Sequence, residues 1–367
     1  MYTVLTSFVS TYTTMATAAR IDDLSIGAIR TRIPSECFQK DTVKSLSYML
    51  FDTQVIALLY LIDSHIPFTW DEPYVGSAII WKLVWWNAVG LMMWCVFVVG
   101  HDCGHTTFSN NSVVNDICGH ICHGFIGVPF WPWAWSHRKH HKHHNSKEND
   151  LSHPWFERSE QYAWLLHTSN QWSILIPFMY TAYLLMGAFD GCHFNPLSSL
   201  FTTTKQRIEC IFSTFVCCVF WYVIWVACDR TTRTFIVQYV IPVLVFHSWL
   251  YVVTYLHHHQ PNTKVYPNSK WTFLLGAYQT VDRTYGYGID WLTHNITTDH
   301  FVHHLFFLDI PHYHLPAATN AIKELLKDKR VHINTPDALS ECIKLRTDAP
   351  LVALSNANDG IYVLSAS

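Results

Sequence analysis

Four long apolar stretches dominate the pattern of hydrophobic and polar positions along the chain. They run from about residues 46 to 65, 77 to 100, 210 to 228 and 235 to 256, and each carries few charged side chains. An α-helix rises about 1.5 Å per residue, so roughly 20 apolar residues cross the hydrocarbon core of a bilayer. The pattern therefore predicts an all-α integral membrane protein with four transmembrane helices.

The polar segments divide the chain into three predicted regions. Residues 1–45 form an N-terminal tail and pre-membrane segment, and this segment lacks the basic start of a signal peptide. Residues 46–326 form the membrane-embedded domain. Residues 327–367 are expected to be a featureless C-terminal tail.

The composition agrees with a membrane protein and excludes other classes. Half of the 367 residues are hydrophobic and only 14% are charged, against about 25% in soluble domains. A net charge of −3 gives no indication of nucleic-acid binding. The eleven cysteines are an odd number, and several lie inside apolar stretches, so they are better explained as small buried side chains than as a disulfide framework.

Three groups of histidines lie beside these stretches at helical spacing: His101 and His105; His137, His140 and His141; His300, His303 and His304. Residues three or four apart share one face of a helix, so each group directs its imidazoles to one side. Eight imidazoles are too many for one tetrahedral zinc and suit two metal ions, for which iron is as natural as zinc. Among 24 histidines, the pairs His120/His123 and His143/His144 are no more than chance would give.

The histidine groups also constrain the membrane topology. If all three bind one metal centre, they lie on the same side of the membrane, and an even number of crossings separates each pair. Residues 117–135 and 171–189 are also uncharged, but neither can then cross alone. We expect both to be interfacial or re-entrant helices, and we place the histidines and both termini on the side richer in Lys and Arg, the cytosol.

The chain resembles the membrane fatty acid desaturases, in particular the methyl-end Δ12 and ω3 acyl desaturases. The three histidine groups correspond to the three histidine boxes of that family, in V-G-H-D-C-G-H, W-S-H-R-K-H-H and H-F-V-H-H. I-P-S-E-C-F, T-Y-L-H-H-H, T-V-D-R-T-Y-G, H-N-I-T and I-P-H-Y-H-L are also similar. The third box begins with His300 rather than Gln, and H-P-G-G is missing from the sequence, so front-end desaturases are a poorer match. H-D-C-G-H and Y-L-H-H-H favour the ω3 over the Δ12 branch.

The resemblance implies an O2-dependent enzyme that forms a cis double bond toward the methyl end of a fatty acyl lipid or acyl-CoA. It implies two non-haem irons held by the eight box histidines and by a ninth at the end of the fourth span, where the register favours His258 over His257 or His259. It also implies electrons from cytochrome b5 and NADH-cytochrome b5 reductase, and a location in the endoplasmic reticulum membrane.

Several polar residues are candidates to support such a centre. Candidate partners to orient the ligand imidazoles are Asp102, Asp282, Asn295 and Asp299, which suit helix caps or surface positions equally well. His294, His312 and His314 are further candidates, and ordinary surface histidines are the alternative for these three. His247 is expected to be hydrogen-bonded inside the helical bundle, and Asp52 to lie at the membrane interface. The basic loop with Arg138, Lys142 and Lys147 either docks an acidic electron donor or is merely solvated.

Two kinds of alternative stay open. A related histidine-box hydroxylase or sphingolipid desaturase would use the same chemistry. A metal transporter with histidine-rich loops is of another class, but transporters place their ionisable ligands at mid-membrane. Here only His247 lies deep in a predicted span, whereas the boxes lie at span ends.

Overall fold

The computed structural model describes residues 24–66, 75–157, 160, 172–186, 190–348, 351–354 and 359–365. In chain order the helices are α1 (Ile26–Arg30), α2 (Thr42–His65), α3 (Val75–Gly104), α4 (Ser112–Phe125), α5 (Phe130–His143), α6 (Ile176–Met186), α7 (Thr204–Ala227), α8 (Thr232–His258), α9 (Phe273–Ala277), α10 (Ile289–Leu292), α11 (His300–Leu305), α12 (Leu315–Ile322) and α13 (Ala338–Asp348). The strands are β1 (Lys264–Val265), β2 (Val281–Thr284), β3 (Val331–Asn334), β4 (Leu351–Leu354) and β5 (Tyr362–Ser365).

Four helices, α2, α3, α7 and α8, are long and apolar enough to cross a membrane. They coincide with the four predicted spans, so the predicted fold class is confirmed. Asp41 caps the start of α2 through the N–H groups of Val43 and Lys44, and Thr203 and Gln206 form a capping box at the start of α7. These caps set where the chain enters each helix.

Helices α3 and α8 form the buried centre of the bundle. They approach closely at Gly90, where an added Cβ would lie 2.6 Å from Cγ1 of Val245. Small residues permit this kind of contact between membrane helices, where packing rather than the hydrophobic effect drives association. Helices α2 and α7 pack outside this pair and expose most of their apolar surface, as expected of helices that face lipid.

The two ambiguous apolar segments are short helices. Residues 117–135 contain the end of α4, a turn at Gly127 with φ 76°, and the start of α5. The Trp-rich end of this segment is the first half of the helix that carries the second histidine box. Helix α6 has 11 residues, and none of α4, α5 and α6 is long enough to cross a bilayer.

The C-terminal region is folded, and the expectation of a featureless tail was wrong. Strand β3 pairs in parallel with β2, and β4 and β5 join β1 in a three-stranded antiparallel sheet. Helix α13 packs against α8, with Cys342 and Leu345 buried. Strand pairing is a contact between distant segments, and strands of two to four residues are too short to show a periodic pattern.

Both acidic residues of the first span have polar partners, and Asp52 lies in other surroundings than we expected. Asp52 is fully buried and accepts a hydrogen bond from Nε2 of His294 at 2.8 Å, so it does not lie at the interface. Asp63 pairs with Lys82 at 2.7 Å and also accepts from Trp81 and Gln238. Lys82 is thus held by a carboxylate. Charged groups at this depth require such partners.

Candidate metal centre

Three different helices carry the histidine boxes. The first box lies in the last turn of α3 and the residue after it, the second lies in the C-terminal half of α5, and the third forms α11. Asp282 holds the start of α11 by accepting the N–H of Phe301 at 2.8 Å, and Arg330 donates to the same carboxylate at 2.5 Å. A residue from the predicted tail therefore supports the third box.

Five box histidines form what we call the first cluster: His101, His105, His137, His141 and His303. Their Nε2 atoms converge, with separations of 3.2 Å between His101 and His105, 3.0 Å between His137 and His141, and 3.2 Å between His141 and His303. Two nitrogens bound at right angles to one ion, each about 2.1 Å from it, lie about 3 Å apart. The spacing is therefore that of a ligand set.

The second cluster contains the other three box histidines and one from the end of α8: His140, His258, His300 and His304. One nitrogen of each of His258, His300 and His304 lies within 4.8 Å of the others. The ring of His140 is 4.8 Å from that of His258 and 5.4 Å from that of His304. The rings of His141 and His304 are 4.1 Å apart, so the two clusters are adjacent, as two neighbouring ions require.

The three consecutive histidines at the end of α8 have different surroundings. His257 donates through Nδ1 to the carbonyl oxygen of Val281 at 2.5 Å, although its ring lies 4.5 Å from that of His300. His259 stacks on Tyr255 with ring centroids 3.9 Å apart. His258 alone of the three belongs to a group of potential ligands among the described residues. His258 is also the residue that the resemblance favoured as a ninth ligand, and its role as a ligand stays a prediction.

The clusters are chemically suited to a metal. In the second cluster, the buried ring nitrogens without a hydrogen-bond partner in the described chain include Nδ1 of His258, Nε2 of His140, and both nitrogens of His300 and His304. Burial, reinforced by the neighbouring imidazoles, holds the pKa of His141 and His304 well below the ordinary value, and burial holds that of His140 at about 3. These rings are neutral at pH 7 and offer the lone pairs that a metal needs.

The outer partners of the box histidines agree in part with the sequence prediction. Asp102 lies 3.6 Å from Nδ1 of His101 and accepts both the backbone N–H and Nδ1–H of His312. Asp282 and Asp299 instead bond to backbone, Arg330 and Thr298, so neither orients an imidazole of the clusters. His294 bonds to Asp52. In the described chain, Asp282 and Asp299 therefore fit the structural alternative that the sequence left open, and the described hydrogen bond of His294 is to Asp52 rather than to a box histidine.

Three residues outside the boxes were missed. Asp150 is buried and accepts from Nδ1 of His140 at 2.9 Å, so it fixes that ring with Nε2 toward the second cluster. His153 lies with its ring 4.1 Å from that of His140. His144, which we attributed to chance, is buried beside the second cluster. The repeat of His at positions 140 and 144, one helical turn apart, was the available signal.

An apolar cavity of about 370 Å³ opens from these histidines into the membrane domain. Its wall includes His101, His137, His140, His258 and His300 at one end. Trp94 lies two turns before His101 on α3, and Leu250 lies two turns before His258 on α8. The cavity therefore extends about 10 Å from the imidazoles toward the bilayer interior, and it can hold part of a hydrocarbon chain.

Two of the three basic side chains of the predicted loop have partners in the described part of the chain. Arg138 donates to the carbonyl oxygen of Gly104 at 2.5 Å, and Lys147 pairs with Glu160 at 2.5 Å. Lys142 is exposed. Two of the three basic residues that we considered for donor docking, Arg138 and Lys147, thus bond to other groups of the protein. Deep in the bundle, His247 bonds to Thr181 at 2.8 Å, as expected.

Comparison with known proteins identifies the family. The model of the fatty acid desaturase family matches residues 80–336. The chain belongs to this family. It is 40% identical over 313 residues to the Delta(12) fatty acid desaturase fat-2 of Caenorhabditis elegans, covering 83% of this chain and 80% of that protein. It is 37% identical to the omega-3 fatty acid desaturase fat-1 of the same organism, over 84% of this chain and 75% of the relative.

A plant relative has the same degree of similarity. The Arabidopsis thaliana acyl-lipid omega-3 desaturase (cytochrome b5) of the endoplasmic reticulum is 37% identical over 82% of this chain and 76% of its own length. The resemblance read from the sequence is thus confirmed, and the protein is a membrane-embedded oxidoreductase of the desaturase class. These identities lie within a few per cent of one another, so they do not separate the Δ12 from the ω3 branch.

Proposed function

We propose that this desaturase introduces a cis double bond at the ω3 position of polyunsaturated fatty acyl chains, with two non-haem irons, O2 and two electrons. Desaturation of oleoyl chains at Δ12 is the alternative. The observation that supports an acyl substrate is the apolar cavity that ends on both histidine clusters. The H-D-C-G-H and Y-L-H-H-H motifs favour the ω3 position.

The nine predicted histidines are proposed as the iron ligands, His101, His105, His137, His141 and His303 on one ion and His140, His258, His300 and His304 on the other. When bound, iron supplies the O2-derived oxidising power that an unactivated C–H bond requires. The protein residues bind and position the chain: the aromatic wall at Trp94 and Phe97 excludes water, and Asp150 and Asp102 hold imidazoles beside the cavity.

Electron supply and topology are part of the proposal. A relative's name includes cytochrome b5 and the endoplasmic reticulum, and we infer the same donor, with its NADH reductase, and the same membrane for this protein. The convergence of all three boxes supports a single side of the membrane for them, and the Lys and Arg content of the segments assigned to that side favours the cytosol. The substrate is a fatty acyl lipid or acyl-CoA.

Expression in yeast tests this proposal. Cells fed linoleate and arachidonate separately should form α-linolenate and eicosapentaenoate, detected by gas chromatography with mass spectrometry. Linoleate formed from endogenous oleate would instead support the Δ12 alternative. The matched control is the His303→Ala, His304→Ala double variant, which should form neither. The proposal of a desaturase of this branch would be refuted by a hydroxylated product, by altered ceramides, or by metal uptake with unchanged lipids in both strains.

A further inference from the structure

If the eight box histidines and His258 are the complete ligand set, the two clusters contain different numbers of imidazoles. The first cluster contains five imidazoles and the second four. His144 lies outside the box motifs, and it is 2% exposed. Its position beside the smaller cluster raises the question of what this buried imidazole does.

His144 lies within reach of the second cluster. Its ring centroid is 4.5 Å from that of His304, 4.6 Å from that of His258 and 5.0 Å from that of His140. One nitrogen of His144 lies within 4.8 Å of the ligand atoms of both His140 and His258. Two box histidines and His258, on three different elements, therefore surround it.

Neighbouring residues hold the backbone at this position. Nε1 of Trp271 donates to the carbonyl oxygen of His144 at 2.8 Å. A Cβ at Gly276 would lie 2.1 Å from the same oxygen, so the close approach requires glycine. A backbone held this tightly gives the imidazole little freedom to leave the cluster.

The ring itself has one nitrogen engaged and one free. Nε2 lies 3.2 Å from the hydroxyl oxygen of Thr280, which can accept its proton. Nδ1 is buried and without a hydrogen-bond partner in the described part of the chain; Asp150 lies 3.7 Å away, beyond bonding distance. A metal-bound histidine characteristically donates its other N–H to a protein oxygen.

We infer that His144 is a ligand of the second iron, so that each ion is held by five imidazoles. This inference rests on the di-iron centre of the proposed function. It adds a tenth histidine to the nine predicted, and it assigns Thr280 as the residue that orients the ring. Thr280 is a positioning residue in this arrangement.

Iron content tests the inference. The full-length protein would be purified in detergent after growth on ⁵⁷Fe, and iron per chain and the Mössbauer spectrum would be measured for His144→Ala, His144→Gln and the control His143→Ala. His143 is the adjacent histidine, half-buried against Trp271 and outside both clusters. We expect the His144 variants to fall from about two irons per chain to about one, and the control to keep both.

Two further measurements separate a ligand from a structural residue. Added imidazole should restore the lost iron to His144→Ala, because a free imidazole can fill the vacated ligand position. His144→Gln keeps a group that can bond Thr280, so full iron with an unchanged spectrum in this variant would overturn the inference. Loss of iron in His153→Ala but not in the His144 variants would also overturn it.

Failure of the proposed function gives a different result. A catalytically active wild-type preparation that contains no iron refutes the di-iron centre itself. A wild-type protein with two irons, together with His144 variants that also hold two, refutes only the role of His144. If His144→Ala does not fold, the iron content and Mössbauer spectrum of His144→Gln still decide whether His144 is a ligand.

Discussion

Asp150 is the residue whose replacement most directly tests how the second cluster is held. One of its carboxylate oxygens accepts from Nδ1 of His140 at 2.9 Å, and the other accepts from the backbone N–H of Asn145 at 3.1 Å. The side chain is buried, so water cannot replace either acceptor. In Asp150→Asn, one of the two donors would face the amide NH2 instead of an oxygen.

The size of the effect follows from this geometry. If the amide oxygen stays with Asn145, the ring of His140 loses the acceptor that keeps Nε2 directed at the cluster. Loss of such an outer partner lowers metal affinity about 10- to 100-fold, which corresponds to roughly 1.4–2.8 kcal/mol. We therefore expect iron to dissociate at least about ten times more readily from the variant.

Competition with a chelator measures this difference, with iron bound to purified protein followed as chelator is increased. The matched control is Asp190→Asn, a second buried carboxylate, which bonds to the hydroxyls of Ser136 and Ser152 and to no box histidine. The chelator concentration that removes half of the iron should be the same for Asp190→Asn as for the wild type. Equal midpoints for wild type and Asp150→Asn, with melting temperatures also equal, would refute the argument that Asp150 orients His140.

Three other predictions follow from buried groups and from the cavity. Replacing Asp52 by Ala leaves the buried His294 without its acceptor. We therefore expect the free energy of unfolding to fall by about 3 kcal/mol and the melting temperature in detergent to fall with it. An unchanged melting temperature would contradict a buried Asp52–His294 pair. Ala182→Trp places an indole in the cavity of about 370 Å³, so product formation should fall at least about tenfold with normal iron content, and loss of iron instead would show that the change disturbs the clusters. Burial lowers the pKa of His140 to about 3 and of His144 to about 4, both below the value of about 6.5 in an unfolded chain. Below pH 6.5 the unfolded state then binds more protons than the folded state. The stabilisation from each neutral histidine is therefore fully present above pH 6.5, and acidification lowers the free energy of unfolding by about 1.4 kcal/mol per pH unit for each histidine. A melting temperature of the metal-free protein that does not change from pH 7.5 to 5 would contradict this.

Much of the fold and of the site was predictable from the sequence because the signals are local. The thickness of the bilayer sets the length of an apolar helix, so the four spans were visible as uncharged stretches. The helical repeat sets the spacing of residues on one face, so the eight box histidines and the preference for His258 over His257 followed from spacing, register and family resemblance. All nine lie in the two clusters of the structure.

The tertiary structure alone decided which distant residues meet. Asp52 and His294 are separated by 242 positions, and Arg330 reaches Asp282 from a segment that looked like a tail. His144 and His143 are identical neighbours in the sequence, yet one faces the second cluster and the other Trp271. Spacing along a chain determines which side chains share a face of a helix, but packing between elements determines what that face contacts. The role of a buried polar group therefore depends on the partner that packing brings to it, which its position in the sequence does not reveal.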